Sequence, residues 1–472
     1  MGSEWPNLTL GDVCYITDGA HSKVQRVEDG VMYLTSKNIG LGQLKLDNFD
    51  FITEESYEKL FTDTKISQRR LRTGDVLMGI IGTFGNCYVY KKADHFGISS
   101  SVAILRPNPD IVLPEYLYYV VSSNQFKAVV NKFKGGSVQG YTNIATLKAL
   151  PITVPSLDVQ KRIVAKLIPC DDKITLNRQI NQTLEQMAQT LFKSWFVDFG
   201  PVIDNALDAI ANGQNIEVPV SLAKRFEARK AVRESEGFEP LPADIRQLFP
   251  CEFEESELGF VPKGWAVSTT SEELVVKGGS TPSTKNLEFW ENGDIHWTSP
   301  KDLSGNDTKI MLDTARKITS AGLKKITSGL LPVNTVLMSS RAPVGYLALA
   351  KVPVAINQGY IAIPSSKNLT SEYIIQWLDA NMDEIKGVAG GTTFAEISKS
   401  TFKSLDIVIP NSEAVKAFTN IVNVNYERIT DGVKQINALT KLRDTLLPKL
   451  ISGELRLDSP QGEALQQAVS AE

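Results

Sequence analysis

The sequence predicts an α+β chain. Two mixed α/β blocks are each followed by a long helix, and the two helices pair as an antiparallel coiled coil in a pseudo-twofold tandem repeat. Three observations lead there. A twenty-residue stretch occurs twice, "GSVQGYTNIATLKALPITVP" from Gly136 and "GTTFAEISKSTFKSLDIVIP" from Gly391, with Gly136/Gly391, Thr146/Thr401, Lys148/Lys403, Leu150/Leu405, Ile152/Ile407 and Pro155/Pro410 coinciding at an offset of 255 residues. The likeness continues upstream of both copies. Downstream of both, apolar residues fall at helical spacing.

Upstream, "WPNLTLGDVCYITDG" from Trp5 lies over "WAVSTTSEELVVKGG" from Trp265, and "YLTSKNIG" from Tyr33 over "HWTSPKDLSG" from His296. "GDVLMGIIGTFG" from Gly74 lies over "NTVLMSSRAPVG" from Asn334, and "PEYLYYVV" from Pro114 over "SEYIIQWL" from Ser371. A chain of 472 residues is too long for one core, and duplication of a single unit explains the overlay. The expected segments are 1–155 and 261–410 for the repeated blocks, 156–200 and 411–456 for the long helices, 201–260 for an acidic linker and 457–472 for a flexible tail.

Within each block, "VMYLTS", "DVLMGIIG" and "SVAILRP" read as strands bounded by Gly and Pro. After Pro114 and Thr370 the period becomes helical, so Tyr116, Tyr118 and Tyr119 read as core rather than as a stacking platform. Each block then ends at a proline, Pro155 or Pro410. Ser156 and Asn411 follow as N-caps, and Asp158 and Glu413 place a negative charge where the helix dipole favours it.

In the first helix Ile180, Leu184, Met187 and Leu191 are spaced by four, three and four. In the second, Phe418, Val422, Asn425, Ile429, Val433, Ile436, Leu439, Leu442, Leu446 and Leu450 approximate a heptad seam, with Asn425 as its polar register residue. An amphipathic helix lying on its own block fits the same spacing. Pro169 is expected to break or kink the first helix. Unbroken from Gln160 to Phe196, that helix would run about 55 Å, longer than a small domain is wide, so the pair is expected to hold the blocks apart.

The net charge of −4 resides in the middle of the chain, where residues 197–260 carry 13 acids against 6 cations. The repeated blocks are near neutral, which neither demands nor excludes a nucleic-acid partner. Cys14, Cys87, Cys170 and Cys251 have no C-x-x-C spacing, and His21, His95 and His296 are isolated. Reduced thiols, a cytoplasmic setting and no metal are expected. No apolar run is long enough to span a bilayer, and the N-terminus lacks the pattern of a secretory signal.

Motifs for phosphate cradles, dinucleotides, zinc proteases and serine hydrolases are absent. Asn108–Asp110 lacks the second proline and the aromatic of the N-P-P-Y/F tetrapeptide that clamps a flipped base. The cluster Lys65, Arg69, Arg70 and Arg72 has four cations and no acid in eight residues. It suits either a solvated face or phosphate contacts.

Two divergent blocks, each ending in a "(K)xLxIxxP" strand, a cap and a long helix, resemble the specificity (S) subunit of Type I restriction-modification systems. So do "LFKSWFVDFGPV" (191–202), "ESELGFVPKGW" (255–265) and "LRDTLLPKLISGEL" (442–455). The resemblance covers essentially the whole chain. It implies that each block is a target recognition domain, that each long helix docks a modification (M) subunit, and that the helix pair fixes the gap in a bipartite, asymmetric double-stranded DNA site. It further implies a non-catalytic chain in the prokaryotic cytoplasm, with no cofactor of its own. Two M subunits would bring S-adenosylmethionine, and restriction subunits would bring ATP and Mg. The acidic segment would be a surface-exposed or M-contacting insertion.

Under that resemblance, DNA contacts are expected where the blocks diverge. The expected residues are Thr35, Ser36, Lys37, Asn38, Lys65, Arg69, Arg70, Arg72, Lys134, Ser137 and Gln139 in the first block, and Ser299, Lys301, Ser340, Arg341, Gln358, Thr392 and Thr393 in the second. Arg341 is the sharpest case, since an arginine on a turn can reach guanine O6 and N7. Ile180, Leu184, Met187, Leu191, Phe192, Trp195 and Phe196, with Ile436, Leu439, Leu442, Leu446, Leu447, Leu450 and Ile451, are expected to form the seam and part of the M-subunit dock; packing only within the chain is the plainer alternative. A coiled-coil scaffold that joins protein partners without touching DNA is the rival reading of the whole.

Overall fold

The computed structural model of the chain describes residues 5–22, 24–64, 68–82, 84–133, 143–391 and 395–455. It divides into two units, residues 1–174 with 437–472 and residues 175–436, the boundary falling inside both long helices, Leu157–Phe192 and Ser412–Ile451.

The two units share a two-sheet plan, with four and four strands in the first and five and three in the second. In the first, a four-stranded antiparallel sheet has the order Cys14–Asp18, Val102–Pro107, Val76–Gly79, Cys87–Val89. A second sheet has the order Arg26–Val27, Asp50–Ile52, Val31–Leu34, Phe96–Ile98, its last pair parallel. In the second unit the corresponding sheets are Leu274–Lys277, Tyr360–Ser366, Val336–Ser339, Leu347–Ala350, Ile310–Met311, and Arg316–Ile318, Ile295–Thr298, Ala355–Ile356.

The central strands are apolar on both faces because each face has its own core. Val76, Met78, Ala103 and Leu105 pack with Tyr116, Leu117 and Tyr119 of the helix Pro114–Ser122, whereas Leu77, Val102 and Ile104 pack with Tyr33, Leu34 and Ile98 of the second sheet. Each valine, leucine, isoleucine or methionine so buried contributes about 1.5–3 kcal/mol. The stretch that occurs twice ends in a strand that pairs with the start of its own block: Asn7–Thr9 with Pro151–Thr153, and Ala266–Thr269 with Asp406–Ile409.

The long helices leave from these strands. Asn411 Oδ1 accepts from the Ala414 amide (2.7 Å). In the first unit the fully buried Gln160 receives the Leu113 amide and donates to the carbonyls of Ile111 and Pro155, all at 2.8 Å. Pro169 does not break the first helix. It is exposed, as is Ala165, whose carbonyl loses the usual intrahelical partner and is left to water.

The helices run antiparallel, and their seam differs from the expected one. In the second unit Leu184, Ala188, Leu191 and Phe192 face Phe418, Val422, Tyr426, Ile429 and Val433. Tyr426, not Asn425, occupies the seam, fully buried with its hydroxyl accepting from Gln376 Nε2 (2.7 Å). Ile180 and Met187 lie outside it, 42% and 55% exposed, because Asn177 and Asn181 hold the inner face beside Ile180 and Ala188 holds it beside Met187. Asn177 donates to Gln435 Oε1 (3.1 Å), and Asn181 occupies the space that a Cβ on Gly432 would need. In the first unit Ile163, Val164 and Leu167 pack with Leu446, Leu447, Leu450 and Ile451, with Leu442 at the margin. There Asp171 accepts from Arg443 and from the Tyr119 hydroxyl, both at 2.8 Å. Ile436 and Leu439 are half-buried.

The acidic segment is folded rather than a linker. After a π-type turn at Lys193–Val197, Phe199 takes a left-handed conformation (φ 56°) and the helix Gly200–Ala211 begins. Ile203, Ala206, Leu222 and Phe226 form its small core. Two of its carboxylates are paired internally: Arg229 grips Asp204 at 2.9 and 2.5 Å, and Asp208 accepts from Arg233 and Arg246, each at 2.5 Å.

Candidate nucleic-acid interface

At one end of the sheets in each unit, several turns are laced together by the same backbone hydrogen bonds. In the first unit Ala20 N donates to Ile98 O (2.9 Å), Ser99 N to Leu34 O (2.9 Å) and Ile80 N to Ser101 O (2.9 Å). In the second, Ser280 N donates to Ile356 O (3.1 Å), Asn357 N to Thr298 O (3.0 Å) and Ser340 N to Gly359 O (2.8 Å). Gly19 and Gly279 precede the first bond of each set, where a Cβ would collide with the carbonyl of Ile98 or Ile356.

These bonds pair Ser100 with Gln358 and Ile81 with Arg341. They also pair Leu34 with Thr298, so Thr35 corresponds to Ser299 and Lys37 to Lys301, one residue off the overlay of Tyr33 on His296. The capping boxes agree, with Thr35 closing on Asn38 and Ser299 on Asp302.

The expected contact residues divide on this surface. Lys37, Lys301 and Gln358 are exposed, Thr35 and Ser299 are half-buried caps, and the Arg341 side chain is 41% exposed with Glu396 3.9 Å away. Ser36, Asn38 and Ser340 are buried and correct the expectation. The Ser36 hydroxyl donates to Ile81 O (2.6 Å), Asn38 Nδ2 to the carbonyls of Lys45 and Asn48, and Ser340 is held through its backbone. They build the turns and have little left to offer a base.

The basic cluster is also reassigned. Arg70 pairs with Glu58 at 2.8 and 3.2 Å and Arg72 with Asp63 at 2.5 Å, acids that the eight-residue window did not contain. Burial raises the Asp63 carboxyl, but hydrogen bonds from Arg72 and Arg70 outweigh it and leave the group below the usual carboxylate range. Of the described members of the cluster, Arg69 turns toward the interface, donating to Asp18 O (3.1 Å) at the strand end before Gly19. Lys65, Lys134, Ser137, Gln139, Thr392 and Thr393 lie outside the described residues.

The sequence reading missed the turn from Ser280 to Lys285. Trp297 Nε1 donates to Ser280 O (3.3 Å) and Trp290 Nε1 to Ser283 O (3.0 Å), while the Arg316 guanidinium stacks 3.5 Å from the Trp290 ring centroid. Thr281 and Ser283 to Lys285 are exposed. The missed signal was the glycine shortly after the strands Cys14–Asp18 and Leu274–Lys277, Gly19 or Gly279, followed by stretches of unequal length, "AHSK" and "STPSTK". Beneath the surface, burial pushes the Tyr360 phenol well up, keeping it neutral against Thr298.

Exposed lysines, an arginine, an amide and hydroxyls on rigid strand ends suit phosphate and base-edge contacts. Among the described residues no group of three or more His, Cys, Asp or Glu is placed to hold a metal, and no helix is long and apolar enough to cross a membrane.

The helix residues are corrected as well. Phe192, Trp195 and Phe196 are at most 7% exposed, packed with Tyr373, Phe418, Phe249 and Trp265, so they belong to the core of the second unit and offer no dock. Leu446, Leu447, Leu450 and Ile451 are likewise buried in the first unit. Leu176, Ile180 and Met187 remain as an exposed apolar row on the first helix.

The family model described as "Type I restriction modification DNA specificity domain" matches residues 2–186 and 262–443. The Type I restriction enzyme HindI specificity subunit of Haemophilus influenzae is 28% identical over 474 residues, covering 96% of this chain and 100% of that protein. The MjaIX specificity subunit of Methanocaldococcus jannaschii is 36% identical over 200 residues, 42% of this chain and 46% of that one. Among solved structures, a Type I restriction-modification S subunit from M. genitalium is similar at a TM-score of 0.48 and 14% identity, over 95% of this chain and 96% of that one. Matched in both of its repeated halves, the chain belongs to the family of Type I restriction-modification DNA specificity subunits.

Proposed function

We propose that this chain is the non-catalytic, DNA-reading subunit of a Type I restriction-modification complex, and that its two units read unlike half-sites of one bipartite double-stranded DNA sequence. The observation that carries the reading is a set of three backbone hydrogen bonds repeated in both units with different side chains at the equivalent places: Gln358 against Ser100, and Arg341 against Ile81. Two unlike half-sites call for such divergence on one scaffold, and the family to which the chain belongs favours DNA readout over a protein-joining scaffold. Chemistry is left to partners: two modification subunits that use S-adenosylmethionine to methylate adenine, and restriction subunits that use ATP and Mg, in a prokaryotic cytoplasm. The exposed row Leu176, Ile180 and Met187 supports docking of a modification subunit on the helix pair. Methylation sequencing of cells expressing this chain with its modification subunit tests the reading. One split, asymmetric motif is expected; a contiguous or palindromic motif would overturn it.

A further inference from the structure

We propose that Gln358 of the second unit reads an adenine through its carboxamide and that Thr281 is the residue that positions it. The proposal rests on the DNA-reading function above. Gln358 is exposed, yet little of it is free to move. Its neighbours are tied on both sides: Asn357 N to Thr298 O at 3.0 Å, Gly359 N to Asn357 Oδ1 at 2.8 Å, and Gly359 O to Ser340 N at 2.8 Å. The side chain is tied too, with Thr281 Oγ1 donating to Gln358 Oε1 at 2.8 Å.

Thr281 is itself fixed. Its neighbour Ser280 donates its amide to Ile356 O and its hydroxyl to Lys325 O (2.9 Å), and accepts from the Thr327 amide (3.2 Å) and, through its carbonyl, from Trp297. An exposed glutamine ordinarily loses its rotamer freedom when it binds; here part of that freedom is already gone. The Thr281 bond uses one lone pair of Oε1. The other lone pair and the Nε2 hydrogens remain, a donor and an acceptor side by side, which matches the N6 and N7 edge of adenine in the major groove. The equivalent residue of the first unit, Ser100, is half-buried and has no such fork, so only one half-site is affected.

The test is methylation sequencing of cells carrying the modification subunit and either this chain or a variant. Gln358→Ala is expected to lose about ten- to hundredfold discrimination at one adenine of one half-site, with the other half-site unchanged. Gln358→Ser, which installs the residue the first unit carries there, should do the same and guards against misfolding. Thr281→Val should relax the same position, and Thr281→Ser, which keeps the hydroxyl, should not. An unaltered split motif in Gln358→Ala overturns the proposal while leaving the DNA-reading function standing. Relaxation by Gln358→Ala with Thr281→Val like wild type overturns the positioning role. Absence of any split motif from the wild-type chain overturns the function and this proposal with it.

Discussion

Arg341 and Ser340 are neighbours with opposite fates, and the difference lies in what each is asked to hold. Ser340 donates its amide to Gly359 and receives the Ile397 amide, which fixes the turn. Among the described residues the Arg341 side chain beside it faces a distant acid, Glu396 at 3.9 Å, and an exposed ion pair of that length contributes little. Arg341→Ala is therefore expected to leave stability within about 0.5 kcal/mol and to cost about 1–3 kcal/mol of discrimination at one base position. Binding measured against a panel of single-base variants checks it; a uniform loss would identify a phosphate contact. The place of Arg341 on a turn at a strand end could be read from its sequence context alone, because a strand end and a turn are local. The roles of Ser36, Asn38, Arg70 and Arg72 could not, since their partners Ile81, Asn48, Glu58 and Asp63 are set by the fold.

The helix pair shows the same limit over a longer stretch. Apolar spacing was enough to find both helices, but Ile180 and Met187 are exposed while Asn177 and Asn181 face inward. Nothing in a period distinguishes these choices, because the second helix decides them: Gly432 leaves a hollow that Asn181 fills. Gly432→Ala should on intrinsic propensity stabilise a helix by about 1 kcal/mol. Here its methyl meets Asn181, so a loss of about 1–3 kcal/mol is expected instead. Adding Asn181→Ala should recover part of it, which a double-mutant cycle by chemical denaturation would measure. The 200–262 segment responds to acid. Burial raises the Asp208 carboxyl, but the hydrogen bonds from Arg233 and Arg246 more than offset this and hold it below its unfolded value. Its contribution is then fully present above about pH 4, the unfolded carboxylate range, and is lost as pH falls through the lower folded value. Acid titration followed by tryptophan fluorescence should show Asp208→Asn removing that dependence; an unchanged acid limb would refute the assignment.

For the molecule as a whole, the repeat, the fold class and the two long helices were legible because duplication and periodicity are properties of the chain itself. The compactness of the acidic segment was not, since the partners that hold it lie far apart in the chain, as the pairing of Asp208 with Arg246, 38 residues away, illustrates. The exposed row Leu176, Ile180 and Met187 yields a prediction about assembly. Replacing all three by glutamate should leave the melting temperature nearly unchanged, because none is in the seam, and should weaken modification-subunit binding at least about tenfold, as calorimetry would read. Trp195→Ala should instead destabilise the second unit by about 3–5 kcal/mol, as loss of a buried aromatic does. Finally, each block begins and ends on adjacent strands, Asn7–Thr9 beside Pro151–Thr153 and Ala266–Thr269 beside Asp406–Ile409. Everything between such paired ends can be exchanged as a cassette by recombination without re-aiming the helix that follows, so a new specificity is reachable in one genetic event.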